Sequence, residues 1–350
     1  MAGFRPSFSR HRFLGFAAGL ALAGFLAGCG GSAGVRPEAP PLVWPAPPEP
    51  PRVAWVSAFS RPADLGIERS FLQRLRDFIF GEDETRMVRP MAVVEAGGTL
   101  FVADPGIKGV HRFDRSKADY QLIGGPGESA LPSPVGLARG ARGEIYVADS
   151  RLARVLVIEP GAREARALDL EGELLQPTGL AYDLSGQRLF VVDTRAHRIN
   201  VYDVQGRRTA VIGERGSGPG QFNYPTMISL AGPDRIYVTD SLNYRVQILD
   251  GNGRFAGQFG RLGDGTGDAA RQKGIATDRD GHVYIVDSLF HTVQVFDPGG
   301  RYLLSLGSQG QDRGEFWLPT GITIGGDDLI YVADAYNRRV QILRYLGERG

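Results

Sequence analysis

The chain has 350 residues and a formal net charge of +1, with acidic and basic residues interspersed along its length. This length allows one large or two ordinary domains. Because no long run of one charge occurs, the sequence offers no electrostatic footprint for nucleic acid, and we expect no nucleic-acid partner. Cys29 is the single cysteine, which excludes haem attachment through a cysteine pair and cysteine-ligated iron–sulfur clusters.

The N-terminal segment predicts export. Three arginines precede an apolar stretch over residues 13–26. A charged region followed by a short apolar region is typical of a secretory signal, and this stretch is too short for a comfortable membrane span. It ends in LAGC at residues 26–29, which resembles the bacterial lipobox. An ordinary secretory signal with an incidental cysteine is the alternative.

The lipobox resemblance implies a signal peptide over residues 1–28 and a lipid anchor on Cys29. Gly30 rather than Asp follows the cysteine, and by resemblance to Gram-negative sorting this favours the outer membrane, facing the periplasm. Residues 29–51 are predicted to be a linker, because the half-proline segment 36–51 favours an extended conformation that packs no core.

A short pattern, an apolar strand ending in Asp, recurs along the remaining chain. Successive aspartates are 45, 44, 47, 47 and 47 residues apart. Self-similarity at a fixed period is the signature of a repeat architecture. The six aspartates are Asp104, Asp149, Asp193, Asp240, Asp287 and Asp334.

Each repeat contains four β-like segments separated by Gly/Asp turns. In the fourth repeat the predicted strands are Thr226 to Leu230, Arg235 to Asp240, Arg245 to Asp250 and Arg254 to Gly260. The segments are rich in β-branched and aromatic residues and have no helical period. A four-stranded unit of this length predicts a propeller blade, so we expect an all-β, six-bladed β-propeller.

Two segments before the repeats complete this prediction. The sixth repeat has three strands, and residues 52–60 are expected to supply the fourth, which would close the ring and cover an exposed edge. Apolar residues at helical spacing over 70–80 predict a short amphipathic helix that caps one end of the ring or binds a partner or membrane.

The fourth and sixth repeats share a longer frame. In the fourth, spaced glycines over 213–220 precede Phe222 and Pro225, and Asp240 is followed by Asn243 and Arg245; residues 307–340 repeat this order. The frame resembles the NHL repeat, which in known families forms six-bladed propellers. The resemblance implies one propeller domain over residues 52–350, with both frame phenylalanines in the core.

The repeated aspartates are interpreted as scaffold residues rather than as a metal ring. Each ends a strand, where a carboxylate can accept N–H bonds from the following turn. In four repeats an arginine follows five residues later and is placed to pair with the aspartate: Arg154, Arg198, Arg245 and Arg339.

Strand counting separates two faces of the ring. The loops between the second and third strands share one face with the connectors between blades; we name it the loop face, and the opposite face, with its tight turns, the hairpin face. Function tends to reside on variable loops held by a rigid scaffold, and aromatic and Arg side chains anchor interfaces. The predicted partner-binding residues on the loop face are Arg151, Arg195, His197, Tyr224, Tyr244, Phe290, His291, Trp317, Tyr336 and Arg338.

No HExxH or Walker signature is present, and the GxSxG match at residues 30–34 lies in the predicted linker rather than after a predicted strand. The DRDG segment at 278–281 falls where each blade has a hairpin, and it is predicted to be a turn rather than a calcium loop. We therefore expect no catalytic residues and no metal or other cofactor. The predicted function is a binding or scaffold module for a protein, a peptide or an envelope polysaccharide.

A metal-dependent enzyme is the alternative, because some similar propellers are enzymes. Resemblance to the amidating lyases would call for a histidine-ligated zinc, but strand counting places His197 and His291 on the loop face and His282 on the hairpin face, with His111 inside a strand. Resemblance to lactonase or hydrolase propellers would call for a calcium centre with asparagine ligands, but the frame asparagines, Asn243 and Asn337, are predicted to be turn residues.

Overall fold

The computed structural model describes residues 40–68, 86–127 and 130–347. These residues form an all-β, six-bladed propeller in which each blade is one antiparallel sheet, as the repeat predicts. Within these ranges no helix reaches seven residues; the helical turns are 3₁₀ segments at Pro62–Leu65, Thr194–Ala196 and Ser241–Asn243. The predicted helix over 70–80 and the predicted lipidation site Cys29 lie outside the described residues.

The blades follow one another along the chain. The first contains β3 (Ala92–Ala96), β4 (Thr99–Asp104), β5 (Gly109–Asp114) and β6 (Asp119–Gly124), and the second β7 (Pro134–Arg139), β8 (Ile145–Asp149), β9 (Arg154–Ile158) and β10 (Arg166–Ala167). The third contains β11 (Pro177–Asp183), β12 (Arg188–Asp193), β13 (Arg198–Tyr202) and β14 (Arg208–Ile212), and the fourth β15 (Pro225–Leu230), β16 (Arg235–Asp240), β17 (Arg245–Asp250) and β18 (Phe255–Phe259). The fifth contains β19 (Gln272–Thr277), β20 (Val283–Asp287), β21 (Thr292–Phe296) and β22 (Tyr302–Leu306).

The sixth blade is closed from the N-terminal side. It contains β23 (Pro319–Ile324), β24 (Leu329–Asp334) and β25 (Arg339–Tyr345), and β2 (Val53–Phe59) pairs antiparallel with β25. This confirms the closing strand expected over 52–60. The sheet also extends one strand beyond the boundary predicted at residue 52, because β1 (Val43–Trp44) pairs with β2 and covers its edge.

The core lies between neighbouring blades rather than at the axis. Apolar side chains of adjacent sheets pack together: Val102 and Phe113 of the first blade, both 0% exposed, share a cluster with Tyr331 and Val340 of the sixth. Phe222 and Phe316, predicted to be core residues, are also fully buried. Burying a side chain of this size contributes about 1.5–3 kcal/mol, so the blade contacts hold the ring together.

The innermost strands approach one another closely at glycines. A Cβ atom on Gly179 would lie 2.7 Å from the backbone oxygen of Thr226, and one on Gly321 would lie 2.5 Å from that of Met91. A larger residue at either position would therefore push neighbouring blades apart. This close approach brings the starts of the innermost strands together around the axis.

A search of the described residues for helices long and apolar enough to cross a membrane finds none.

Candidate binding site on the loop face

The repeated aspartates shape the loop face. All six are buried, with 0–1% exposure. Asp104, for example, accepts the N–H groups of Val88 at 2.6 Å, Arg89 at 2.9 Å and Gly106 at 2.8 Å. One carboxylate thus fixes both the connector that enters the blade and the loop between its second and third strands.

The fourth and sixth blades extend this arrangement. Arg245 Nε donates to Asp240 at 2.9 Å, Asn243 Nδ2 donates to the same carboxylate at 2.8 Å, and the sixth blade repeats both bonds around Asp334. In the described parts of the chain, Arg154 and Arg198 form no such ion pair, and Arg198 Nε has no hydrogen-bond partner. Arginine pairing is therefore found in the two blades that carry the complete sequence frame.

The environment of the carboxylate differs between blades. Burial raises the pKa of Asp334 above its ordinary value, in spite of the N–H of Trp317 and the side chains of Asn337 and Arg339. Burial also acts on Asp104, but the His111 imidazole 3.5 Å away and the hydrogen bond from the Val88 N–H outweigh it and lower the pKa of that carboxyl.

One loop position is held in the left-handed region in every blade. It is the fourth residue after each aspartate, and its φ lies between 54° and 57°. The side chain therefore leaves the backbone at the same point of each blade, while its type varies around the ring. The six residues are Lys108, Ala153, His197, Tyr244, His291 and Arg338.

The centre of the loop face contains two adjoining cavities of about 590 and 730 Å³, which we call the axial depression. They share the lining residues Met91, Arg271, Lys273 and Thr320. Their volumes lie in the range of small-molecule sites, about 300–1,000 Å³. Residues at or directly before the start of each innermost strand line the first cavity, among them Met91, Val135, Thr178, Thr226, Lys273 and Thr320.

Hydroxyl groups join neighbouring blades around this depression. Thr194 Oγ1 donates to the backbone oxygen of Pro225 at 2.7 Å, and Thr320 Oγ1 donates to that of Pro90 at 3.1 Å. These bonds hold the start of one innermost strand against the next blade. The sequence signal for the Thr194 bond is a Ser or Thr directly after the repeated aspartate, because Ser241 and Ser288 likewise donate to the backbone oxygens of Gln272 and Pro319 in the next blade.

Cationic side chains occupy one side of the axial depression. Arg89, Arg271, Lys273 and Arg338 line it, whereas no carboxylate does so among the lining residues described. Burial and the nearby charge of Arg271 both lower the pKa of Lys273. The depression therefore concentrates positive charge in a protein whose overall charge is almost balanced.

Four of the ten predicted partner-binding residues line the depression. Tyr224 and Tyr244 line the first cavity, and Tyr336 and Arg338 line the second. Trp317 lies behind them, with its ring 4.6 Å from that of Tyr336. The structure thus brings the aromatic residues of the fourth and sixth blades to one site.

The other five predicted residues lie outside the depression. His197 is buried; its ring packs edge-on against Tyr224 at 4.6 Å, and its Nδ1 accepts the Tyr224 N–H. His291 accepts the N–H of Leu318 in the same way at 3.0 Å. Both histidines therefore contact the next blade. The remaining three are Arg151 and Arg195, which are exposed, and the half-buried Phe290.

Sequence reasoning missed Arg89, Arg271 and Lys273. Lys273 lies at the start of an innermost strand and the two arginines just before one, whereas the predicted set was drawn mainly from the loops. A signal was present: Lys273 occupies the repeat position that is Thr in three other blades, beside the Gln272 that replaces the usual proline. A departure from the repeat on the innermost strand marks the site as clearly as a departure in a loop does.

Within the described ranges no group of three or more His, Cys, Asp or Glu residues is placed to hold a metal ion. His282, on the hairpin face, has its Nδ1 2.9 Å from the buried carboxylate of Asp278. Asp278 also accepts the N–H groups of Asp280 and His282, so residues 278–281 form the hairpin turn expected from the sequence.

Comparison with protein families shows which family the chain belongs to. The Teneurin NHL domain family matches residues 114–313, which is more than half of the chain, and an NHL repeat matches residues 316–343. The chain belongs to the Teneurin NHL domain family. No curated protein matches the sequence of this NHL domain protein significantly.

Solved structures share the architecture of this NHL domain. An auxiliary nutrient binding protein from Bacteroides thetaiotaomicron is 12% identical, with a TM-score of 0.59 over 75% of this chain and 70% of that chain. Virginiamycin B lyase from Staphylococcus aureus is 12% identical, with a TM-score of 0.54 over 74% of this chain and 96% of that chain. Kuenenia stuttgartiensis hydrazine synthase is 13% identical, with a TM-score of 0.52 over 74% and 96%. At these identities the likeness shows the fold alone.

Proposed function

We propose that this protein is an envelope binding module that presents the loop face of its propeller to a protein, a peptide or a polysaccharide. The observation that carries the proposal is the axial depression, which is lined by cationic side chains that pair with no described residue and by Tyr224, Tyr244 and Tyr336. A binding protein and a lyase with this fold are among the solved structures it resembles, so the fold is compatible with ligand recognition.

The loop face carries exposed side chains of the types that anchor interfaces. Tyr224 is 39% exposed, Leu242 50% and Tyr336 60%. Tyr and Arg contribute disproportionately to binding energy because they combine a large apolar area with a polar group. The buried aspartates and inter-blade hydroxyl bonds hold the loops in place, which reduces the ordering cost of binding.

Capture of ligands from the protein's own envelope fraction tests this proposal. We expect the wild-type protein to retain a stoichiometric component that a Tyr244→Ser/Tyr336→Ser variant loses. A Leu184→Ser/Val204→Ser variant is the matched control, because it changes two exposed apolar residues on the hairpin face, at 65% and 57% exposure. Undiminished capture by the tyrosine variant, or equal loss by the control, would contradict the assignment to the loop face.

We also propose that the protein is exported and anchored through a lipid on Cys29, in the outer membrane and facing the periplasm. The support is the lipobox-like LAGC segment and the Gly30 that follows it. Labelled palmitate should be incorporated by the wild type and not by Cys29→Ala. Equal labelling of the two proteins would exclude the anchor.

A further inference from the structure

The four cations of the axial depression lack partners. Arg89, Arg271, Lys273 and Arg338 form no side-chain hydrogen bond or ion pair with any described residue, although the chain forms such pairs elsewhere. The nearest repeated aspartates are already saturated by backbone N–H groups, as Asp104 and Asp287 show. No residue in the described ranges therefore neutralises the positive charge of the depression.

Keeping the Lys273 ammonium charged at its position costs free energy when no ligand is bound. It lies on an innermost strand, half-buried, at a position where the other blades place only uncharged residues. Burial and the charge of Arg271 both disfavour its protonated form and lower its pKa. A charged group held in a cleft against these penalties is a candidate for ligand binding.

The rest of the depression is hydroxylated and aromatic. Thr178 Oγ1 donates to the backbone oxygen of Thr226 at 2.8 Å and also lies 2.7 Å from Thr194 Oγ1, so at most one of its lone pairs is available as an acceptor. Thr226 and Ser241 add further hydroxyls, and Tyr224 and Tyr244 add ring faces. Hydroxyl acceptors and aromatic faces match the O–H groups and the apolar C–H faces of sugar rings.

We propose that the axial depression binds an acidic carbohydrate, with a carboxylate of the sugar held by Arg271, Lys273, Arg338 and Arg89 and its rings against the hydroxyl and tyrosine side. The inference rests on the proposed loop-face function and names the ligand class of that site. Arginine presents paired N–H donors that fit the two oxygens of a carboxylate, and Lys273 adds a point charge at the axis. An acidic peptide would satisfy the same cations but would leave the sugar-like side of the depression unmatched.

Calorimetric titration with tetragalacturonate tests the site, with its fully methyl-esterified form as the neutral counterpart. We expect the acid form to bind, with an affinity that falls as salt rises. We expect the ester to bind at least about tenfold more weakly, because it cannot make charge-assisted hydrogen bonds. Equal binding of acid and ester would overturn the proposal.

Single substitutions of the cations test where the carboxylate of the ligand binds. Lys273→Gln and Arg271→Gln should each weaken tetragalacturonate binding by about tenfold or more. Arg254→Gln is the matched control, since it removes one exposed arginine from the hairpin face without removing a side-chain partner. Unchanged affinity in both depression variants would overturn the assignment of the binding site to the axial depression.

A tetraglutamate titration separates the two acidic ligand classes. Tighter binding of tetraglutamate than of tetragalacturonate would assign the site to an acidic peptide and overturn the carbohydrate assignment. The envelope capture described above depends on Tyr244 and Tyr336 and not on ligand charge. It can therefore succeed where these titrations fail, which distinguishes failure of this inference from failure of the loop-face function.

Discussion

Replacing Asp240 by Asn tests how the repeat holds the loop face. The carboxylate is 0% exposed and accepts the N–H of Asn223 at 2.6 Å, Arg245 Nε at 2.9 Å and Gln247 Nε2 at 3.2 Å. Asn has nearly the same volume, so the change removes the charge without opening a cavity. Arg245, 6% exposed, would remain buried with no counter-ion. Removing one partner of a buried pair costs about 3–5 kcal/mol, which is the loss we expect.

Urea unfolding followed by fluorescence measures this loss, with Glu159→Gln as the control. Glu159 pairs with Arg166 at 2.7 Å, but the side chains are 38% and 62% exposed, so we expect a cost of at most about 1 kcal/mol. Both substitutions exchange a paired carboxylate for an amide, so the comparison contrasts a buried carboxylate that accepts several bonds with a partly exposed one that pairs with Arg166. If Asp240→Asn costs no more than Glu159→Gln, the repeated aspartates do not stabilise the blades as argued.

Two further predictions concern charge and stability. Lys273→Met should stabilise the protein by about 0.5–2 kcal/mol in thermal unfolding, because it removes a half-buried ammonium that pairs with no described residue; a destabilised variant would refute this. Burial raises the pKa of Asp183, but bonds from Ser185, Gly186 and Arg188 outweigh it and lower the pKa to about 2. The lowered pKa adds stability above pH about 4 that is lost as the pH falls towards about 2. Asp183→Asn should therefore reduce the loss of stability over that interval, and an unchanged acid profile would contradict the assignment.

The strand pattern was predictable because each blade carries its own local signals. In the fourth blade, the predicted Arg235 to Asp240 and Arg245 to Asp250 coincide with observed strands, since apolar β-branched runs and Gly turns fix both ends. Pairing of Val43–Trp44 with β2 was not predictable, because the proline-rich composition of its surroundings favours a linker. The short strand forms because β2 would otherwise leave an exposed sheet edge, which Val43–Trp44 covers.

The candidate site was predictable only in part. Tyr224, Tyr244 and Tyr336 follow from the rule that variable loops carry function. Lys273 and Arg271 do not, because they lie on or directly before a strand that the sequence presents as scaffold. Their role depends on the ring closing, which brings the starts of six strands to one axis. Closure is a long-range property that no local pattern contains.

The most direct test of the proposed binding site follows the titration of the Lys273 amine by NMR. The lysines of the chain are Lys108, Lys117 and Lys273, so isotope-labelled methyl groups on the lysine amines give few NMR signals. We predict that the Lys273 signal titrates with a pKa below the ordinary value in the free protein. We also predict that it shifts when tetragalacturonate is added and titrates at higher pH in the complex, while the signal of Lys117 on the hairpin face stays unchanged. A bound ligand that leaves the Lys273 signal and its pKa unaltered would contradict the claim that the axial depression is the binding site.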